Sequence, residues 1–189
     1  MKQVIIPVMA FLLLGCGDEP LPKPKAALRL EYPTPEYSLV NLDIPFSFEK
    51  NNLAAPITKI KIDKANNDIG IDINYPALKG TIYLTYRNVD GNLNRLLKDA
   101  QNITQKHASK ADEISEQVFD NASANTHGMF YEVGGNAASQ SQFYLTDSTH
   151  HFLNGSLYFY AKPNFDSIYP AAVYLKNDIK HLMESVKWK

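Results

Sequence analysis

Thr81-Ile82-Tyr83-Leu84-Thr85-Tyr86-Arg87 and, a few residues on, Leu93-Asn94-Arg95-Leu96-Leu97-Lys98-Asp99-Ala100 contain the change of period on which the fold reading turns. In the first stretch Ile82, Leu84 and Tyr86 fall on one side at a spacing of two, the mark of a half-buried strand. In the second, Leu93, Leu96, Leu97 and Ala100, continued by Ile103, His107, Ala111, Ile114 and Val118, follow the i, i+3, i+4 rule of an amphipathic helix. Asn92, after Asp90-Gly91, supplies an N-cap side chain. Such a helix, over 93–118, must lay its stripe on a sheet, with His107 on that stripe as a core or boundary histidine.

Upstream, Ile60 and Ile62 alternate with Lys59, Lys61 and Asp63, and Ile69, Ile71 and Ile73 alternate with Asp68, Asp72 and Asn74. The turn formers Ala65-Asn66-Asn67 between them predict a hairpin. Before these, Arg29 to Tyr32 and Phe46-Ser47-Phe48, broken by Pro33, Pro35 and Pro45, read as edge strands and loops, because proline cannot donate into a central ladder. Downstream, His127 to Val133, Gln142 to Thr146 and Ser156 to Ala161 read as strands. Ala172, Leu175, Ile179, Leu182, Met183 and Val186 form the stripe of a last helix starting near Pro170. The expected class is α+β: about six antiparallel strands with one long central helix and a C-terminal helix packed on the sheet.

The N-terminal end reads differently. Lys2 and a short apolar run from Val4 to Leu14 precede Gly15 and Cys16, the only cysteine of the 189 residues. A membrane-spanning helix needs about 20 apolar residues, so this run fits the core of a secretory signal peptide. A small residue before a cysteine at its end resembles the lipobox of bacterial lipoproteins, which makes Cys16 the lipidation site. Acyl chains there would anchor residues 16–189 stably on a membrane. The alternative is a soluble secreted protein cut elsewhere, with one unpaired thiol. Residues 16–27, rich in proline and lysine, form a tether; nine residues of polyproline II over 17–25 reach about 28 Å. Residues 28–189 then form a single α+β domain.

Composition narrows the function classes. With 19 basic and 20 acidic residues the net charge is −1, so no basic face points to nucleic acid. No nucleophile elbow, H-E-x-x-H, phosphate loop, dinucleotide fingerprint or cysteine pair occurs, and the chain is read as non-enzymatic, without cofactor or metal. The nearest catalytic constellation is Asp147, His150 and His151, with Ser139 or Ser141 upstream. Its spacing is unspecific, and adjacent histidines on a strand face opposite ways.

Gly134 to Gln142 is the stretch best suited to touch a partner. Gly134, Gly135, Asn136, Ser139 and Gln140 allow close backbone approach without charge, flanked by Tyr131 and Phe143. The competing reading is a hairpin turn whose glycines only take up positive φ.

Three runs are familiar as phrases: Pro22-Lys23-Pro24-Lys25-Ala26-Ala27-Leu28-Arg29-Leu30-Glu31-Tyr32-Pro33, Gly128-Met129-Phe130-Tyr131-Glu132-Val133-Gly134-Gly135-Asn136-Ala137-Ala138-Ser139-Gln140-Ser141-Gln142-Phe143, and Ser156-Leu157-Tyr158-Phe159-Tyr160 with the ending Lys187-Trp188-Lys189. They resemble the gliding-motility lipoprotein GldD family, over nearly all of residues 16–189. The resemblance implies a cell-envelope lipoprotein needed for surface gliding in bacteria that couple gliding to type IX secretion. Its partners would be other gliding and secretion envelope proteins, and its place the outer membrane or the periplasmic face. The other class left open is a ligand- or glycan-binding envelope lipoprotein. Asp147-Ser148-Thr149 and Asp166-Ser167-Ile168 resemble O-glycan acceptor sequences of exported proteins in such bacteria, which makes Ser148 and Ser167 glycosylation candidates on expected loops.

Overall fold

The computed structural model describes residues 30–63, 65–106, 110–160 and 165–189; Cys16, the signal and tether segments and His107 lie outside them. Among these residues ten strands and two α-helices follow in order: β1 (Tyr37–Val40), β2 (Phe46–Asn51), β3 (Ile60–Asp63), β4 (Asp68–Tyr75), β5 (Gly80–Asn88), α1 (Leu93–Gln105), β6 (Ile114–Asn121), β7 (Thr126–Val133), β8 (Ser139–Thr146), β9 (His151–Phe159), α2 (Phe165–Ser185) and β10 (Lys187–Trp188). The α+β class holds, but the strand count is ten rather than about six. The strands form a seven-stranded sheet in the order β3-β4-β5-β9-β8-β7-β6 and a small sheet β1-β2-β10, with every pairing antiparallel.

The large sheet is two meanders joined back to back. β3-β4-β5 forms one, with its first turn at Asn67 (φ 56°) as the Asn66-Asn67 pair predicts, and Ile60 and Ile62 opposite Ile71 and Ile69. β6 to β9 form the other. β5 and β9 seal them along nine residue pairs, from Gly80 opposite Phe159 to Asn88 opposite His151. The helix after β5 carries the chain to the far edge, so the second meander returns strand by strand until β9 meets β5.

That helix is shorter than its apolar spacing implied. α1 stops at Gln105, and Ile114 and Val118, expected on its stripe, lie on β6 instead. A spacing of four is a multiple of two as well as one turn of helix, so Ile114 and Val118 satisfy both periods. The tie is broken by the adjacent Val118 and Phe119, which favour a strand. The turn at Asn121 to Asn125 helps: Asn121 caps it through Ala124 N–H, and Asn125 takes φ 48°.

Both faces of the large sheet are covered. On one lie Ile71, Ile73, Ile82, Leu84, Phe130, Phe143, Leu145, Leu153 and Leu157, buried beneath α2 (Leu175, Ile179, Leu182, Met183) and beneath Phe46 and Phe48 of the small sheet. On the other, Leu96 and Ala100 of α1 pack on Phe152 beside Tyr144. α2 begins at Phe165, more than a turn before Pro170.

Gly155 on β9 faces Phe143 across the strand pair, and a Cβ there would lie 2.2 Å from that ring. Gly155→Ala should therefore cost about 1–3 kcal/mol by overpacking, read as a lower urea midpoint at unchanged m-value.

Candidate functional site

The stretch expected to meet a partner is mostly interior. Ser139, Gln140, Tyr131 and Phe143 are buried, because β8 starts at Ser139 and runs between β7 and β9. Gly134 exchanges backbone hydrogen bonds with Glu113 (2.8 Å) and Asp112 (3.1 Å), and Gly135 takes φ 86° against Asp112. A Cβ on Gly135 would come within 2.8 Å of Asp112, so this glycine is set by both φ and close approach. Asn136 is exposed, yet its Oδ1 accepts the N–H of Phe165 at 3.0 Å and so caps the start of α2. The expected uncharged docking surface is thus reduced to Asn136 and Ala138. A bulge in the β8–β9 pairing between Ser139 and Gln142 turns the amides inward. Gln142 Oε1 accepts from the Thr104 hydroxyl (2.9 Å), and Gln140 Nε2 donates to Ala137 O (2.7 Å). The cavities beside them, about 10 Å³ at Gln142 and Asn154 and about 30 Å³ at Gln140 and Ser141, are too small for a sugar ring.

Asp147, His150 and His151 do come together, but as a turn. Asp147 Oδ1 accepts the backbone N–H groups of Thr149 (3.0 Å), His150 (2.8 Å) and His151 (2.8 Å). Burial opposes its charge, but these bonds and the Thr149 hydroxyl outweigh it and hold the carboxyl down to about 2. The histidines diverge. His150 points to solvent; His151 stacks on Trp188 (centroids 5.0 Å, 6°) and meets the Tyr86 hydroxyl through Nδ1 at 2.8 Å. Ser139 and Ser141 lie at the other end of β8, so neither joins the turn. Among the described residues no group of three or more His, Cys, Asp or Glu could hold a metal ion. Ser148 is exposed at φ 68° in this turn, whereas Ser167 sits in the first turn of α2 rather than in a loop.

A polar network that the sequence reading passed over lies between α2 and the small sheet. Buried Asp178 accepts from Tyr37 (2.8 Å) and from Asn51 Nδ2 at both oxygens (3.0 and 2.9 Å). The Asn51 amide also reaches the Tyr174 hydroxyl, which donates to Pro33 O (3.1 Å). His181 stacks on Tyr37 (centroids 3.6 Å) and pairs with Glu49 at 2.7 Å. Burial pushes the Asp178 carboxyl up, against hydrogen bonds from Asn51, Tyr37 and Tyr75. Burial also raises the Tyr37 and Tyr75 hydroxyls, and the neighbouring Asp178 adds to it. A signal was present: Asp178 stands three residues after Leu175 and four before Leu182, on the apolar stripe, where a charge needs partners. Its donors are all satisfied inside the fold, so the network is a clasp rather than a reactive centre.

The open concavity lies on the opposite face. Between α1 and the β4–β5 end of the sheet, a polar cleft of about 290 Å³ is lined by Asn66, Asp68, Arg87, Asn88, Asn92, Arg95 and Asp99. It adjoins a shallower one at Asn102 and Lys106. Arg87 Nε is held by Asp68 at 3.0 Å.

Compared with known families, residues 17–188 match the model of the gliding motility lipoprotein GldD. The chain belongs to the GldD family. The matched span takes in every strand and helix above. Individual curated proteins give no match. The family is described as one of motility lipoproteins. Among the described residues no helix is long and apolar enough to cross a membrane.

Two outcomes follow. Asp178→Ala leaves the Asn51 amide and the Tyr37 hydroxyl without their acceptor and should cost about 3 kcal/mol in urea unfolding, against about 1 kcal/mol for the neutral isostere Asp178→Asn. Burial lowers the pKa of His151, so the fold takes up its proton less readily than the unfolded chain, which does so near pH 6.5. Its contribution is therefore present above about pH 6.5 and lost on acidification, so the His151→Gln variant should show a flatter fall of urea midpoint between about pH 7.5 and 5.5 than the parent.

Proposed function

We propose that this chain is a lipid-anchored component of the gliding apparatus that acts through protein contacts at the cell envelope, in association with the type IX secretion machinery. Residues 1–15 are removed as a signal peptide, Cys16 carries the acyl chains, residues 16–27 act as a spacer and residues 28–189 as one domain. The observation that carries this reading is the motility-lipoprotein match over residues 17–188, a span that opens at the residue after the only cysteine. A spacer of about 28 Å keeps the domain close to the lipid, which favours neighbours in the same membrane as partners. The outer membrane or the periplasmic face is the favoured location.

A second reading, a glycan-binding envelope lipoprotein, draws on the cleft at Arg87, Arg95 and Asp99, whose amide and charged lining suits hydroxyl-rich ligands. Ser148 suits an O-glycan by its exposure in a turn; Ser167 is the weaker acceptor, since an enzyme would meet it within a helix.

Cys16→Ser should leave the domain folded, with an unchanged urea midpoint, but absent from the membrane fraction, and cells carrying it should not glide. Salt-resistant recovery of the variant with membranes would refute the anchor. In mild detergent the parent protein should co-purify with other envelope components. If it stays alone and is instead stabilised thermally by a soluble oligosaccharide in an Arg87-dependent way, the second reading replaces the first.

A further inference from the structure

The two edges of the large sheet are not alike. β3 is four residues long and carries Lys61, held to Asp72, the kind of short, charged edge that discourages added strands. β6 is twice as long, pairs with β7 at all eight positions without a bulge, and carries neither lysine nor proline. Its Val118 is the most exposed large apolar residue described, at 80%. Among the described residues nothing pairs with its outer side. A long, regular, open edge with an apolar residue at its middle is a template for a further strand.

The side chains of β6 say which strand fits. On the α1 side of the sheet Ile114, Glu116, Val118 and Asp120 alternate apolar and acidic; Glu116 lies opposite Tyr131, and Asp120 is bonded to His127 (2.6 Å). On the α2 side a groove of about 210 Å³ runs between β6 and α2, lined by Phe119, Phe130, Lys180 and Met183. A second copy of this chain is a poor occupant in the register centred on Val118. Brought up antiparallel across Val118 with faces matched, it sets Glu116 against Asp120, and like charges directly opposite repel.

We infer that the β6 edge accepts an extended segment of a different protein as an eighth strand of the sheet. That segment carries basic residues facing Glu116 and Asp120, apolar residues facing Ile114 and Val118, and one apolar side chain in the groove beside Phe119. Backbone hydrogen bonds supply affinity and the charge alternation supplies choice of partner. This rests on the protein-contact reading above, to which it gives a surface and a partner chemistry.

The test uses the full lipid-anchored chain in gliding cells, with a photo-crosslinking residue placed in turn at 118, 62 and 160, and the cross-linked peptide sequenced. The expected result is an adduct at 118 to another protein, at an extended segment with Lys or Arg at alternate positions. Glu116→Lys with Asp120→Lys should lower its yield by about tenfold or more, while membrane location and urea midpoint stay unchanged. An adduct to a second copy, an adduct at a helical or acidic segment, or a yield indifferent to the charge reversal overturns the proposal. Capture from 62 or 160 but not from 118 overturns it while leaving the protein-contact reading standing; no adduct from any position overturns both.

Discussion

The nine-pair ladder between β5 and β9 is the joint on which the rest depends. Each meander alone has one face to bury and an open edge where the other should be. Once Gly80 stands opposite Phe159 and Asn88 opposite His151, the apolar rows of both meanders become one surface, with Ile82 beside Leu157 and Tyr86 beside Leu153. A shift by one residue would turn either row to the wrong face. The joint also fixes what lies above it. Leu175 of α2 fits over Gly80, where a Cβ would approach to 2.9 Å, and Phe143 crosses to fill the space that Gly155 leaves open. On the other face Phe152, one residue from Leu153, meets Leu96 of α1.

Most of this was readable from period alone. The isoleucine alternation of β3 and β4, the Asn66-Asn67 turn, and the rows of β5 and β9 each state their face in a few residues. What misled was arithmetic: Ile114 and Val118 lie four apart, and four belongs to both the strand and the helix. What was hidden was small or late. β1 and β10 are short, and Lys187-Trp188 becomes a strand only because Trp188 finds His151 and Phe46 to pack on.

The candidate sites show a different limit. The residue types of Gly134-Gly135-Asn136 invite a docking surface, but their hydrogen bonds go inward, to Asp112, Glu113 and the first N–H of α2. Exposure cannot be read from residue type when glycine and amides serve turns and partners equally well. Asp178 was legible in principle, as an acid on an apolar stripe. Its partners Tyr37 and Asn51 stand more than a hundred residues away in sequence, as Pro33 does from Tyr174, so only the fold brings them together.

The clasp around Asp178 also decides how the domain takes a pull. The described chain begins at Leu30, and Tyr32 rests on the Tyr174 ring (5.0 Å) while the Pro33 carbonyl receives the Tyr174 hydroxyl. Tyr37, the first residue of β1, reaches Asp178 one turn further along α2. Tension applied to the chain ahead of Leu30 therefore enters the middle of a 21-residue helix seated on the large sheet before it loads any rung of the four-residue ladder between β1 and β2. The four-residue pair of β1 with β2 sits behind the fastening, so a pull from this end meets a rigid handle rather than a hairpin to be peeled.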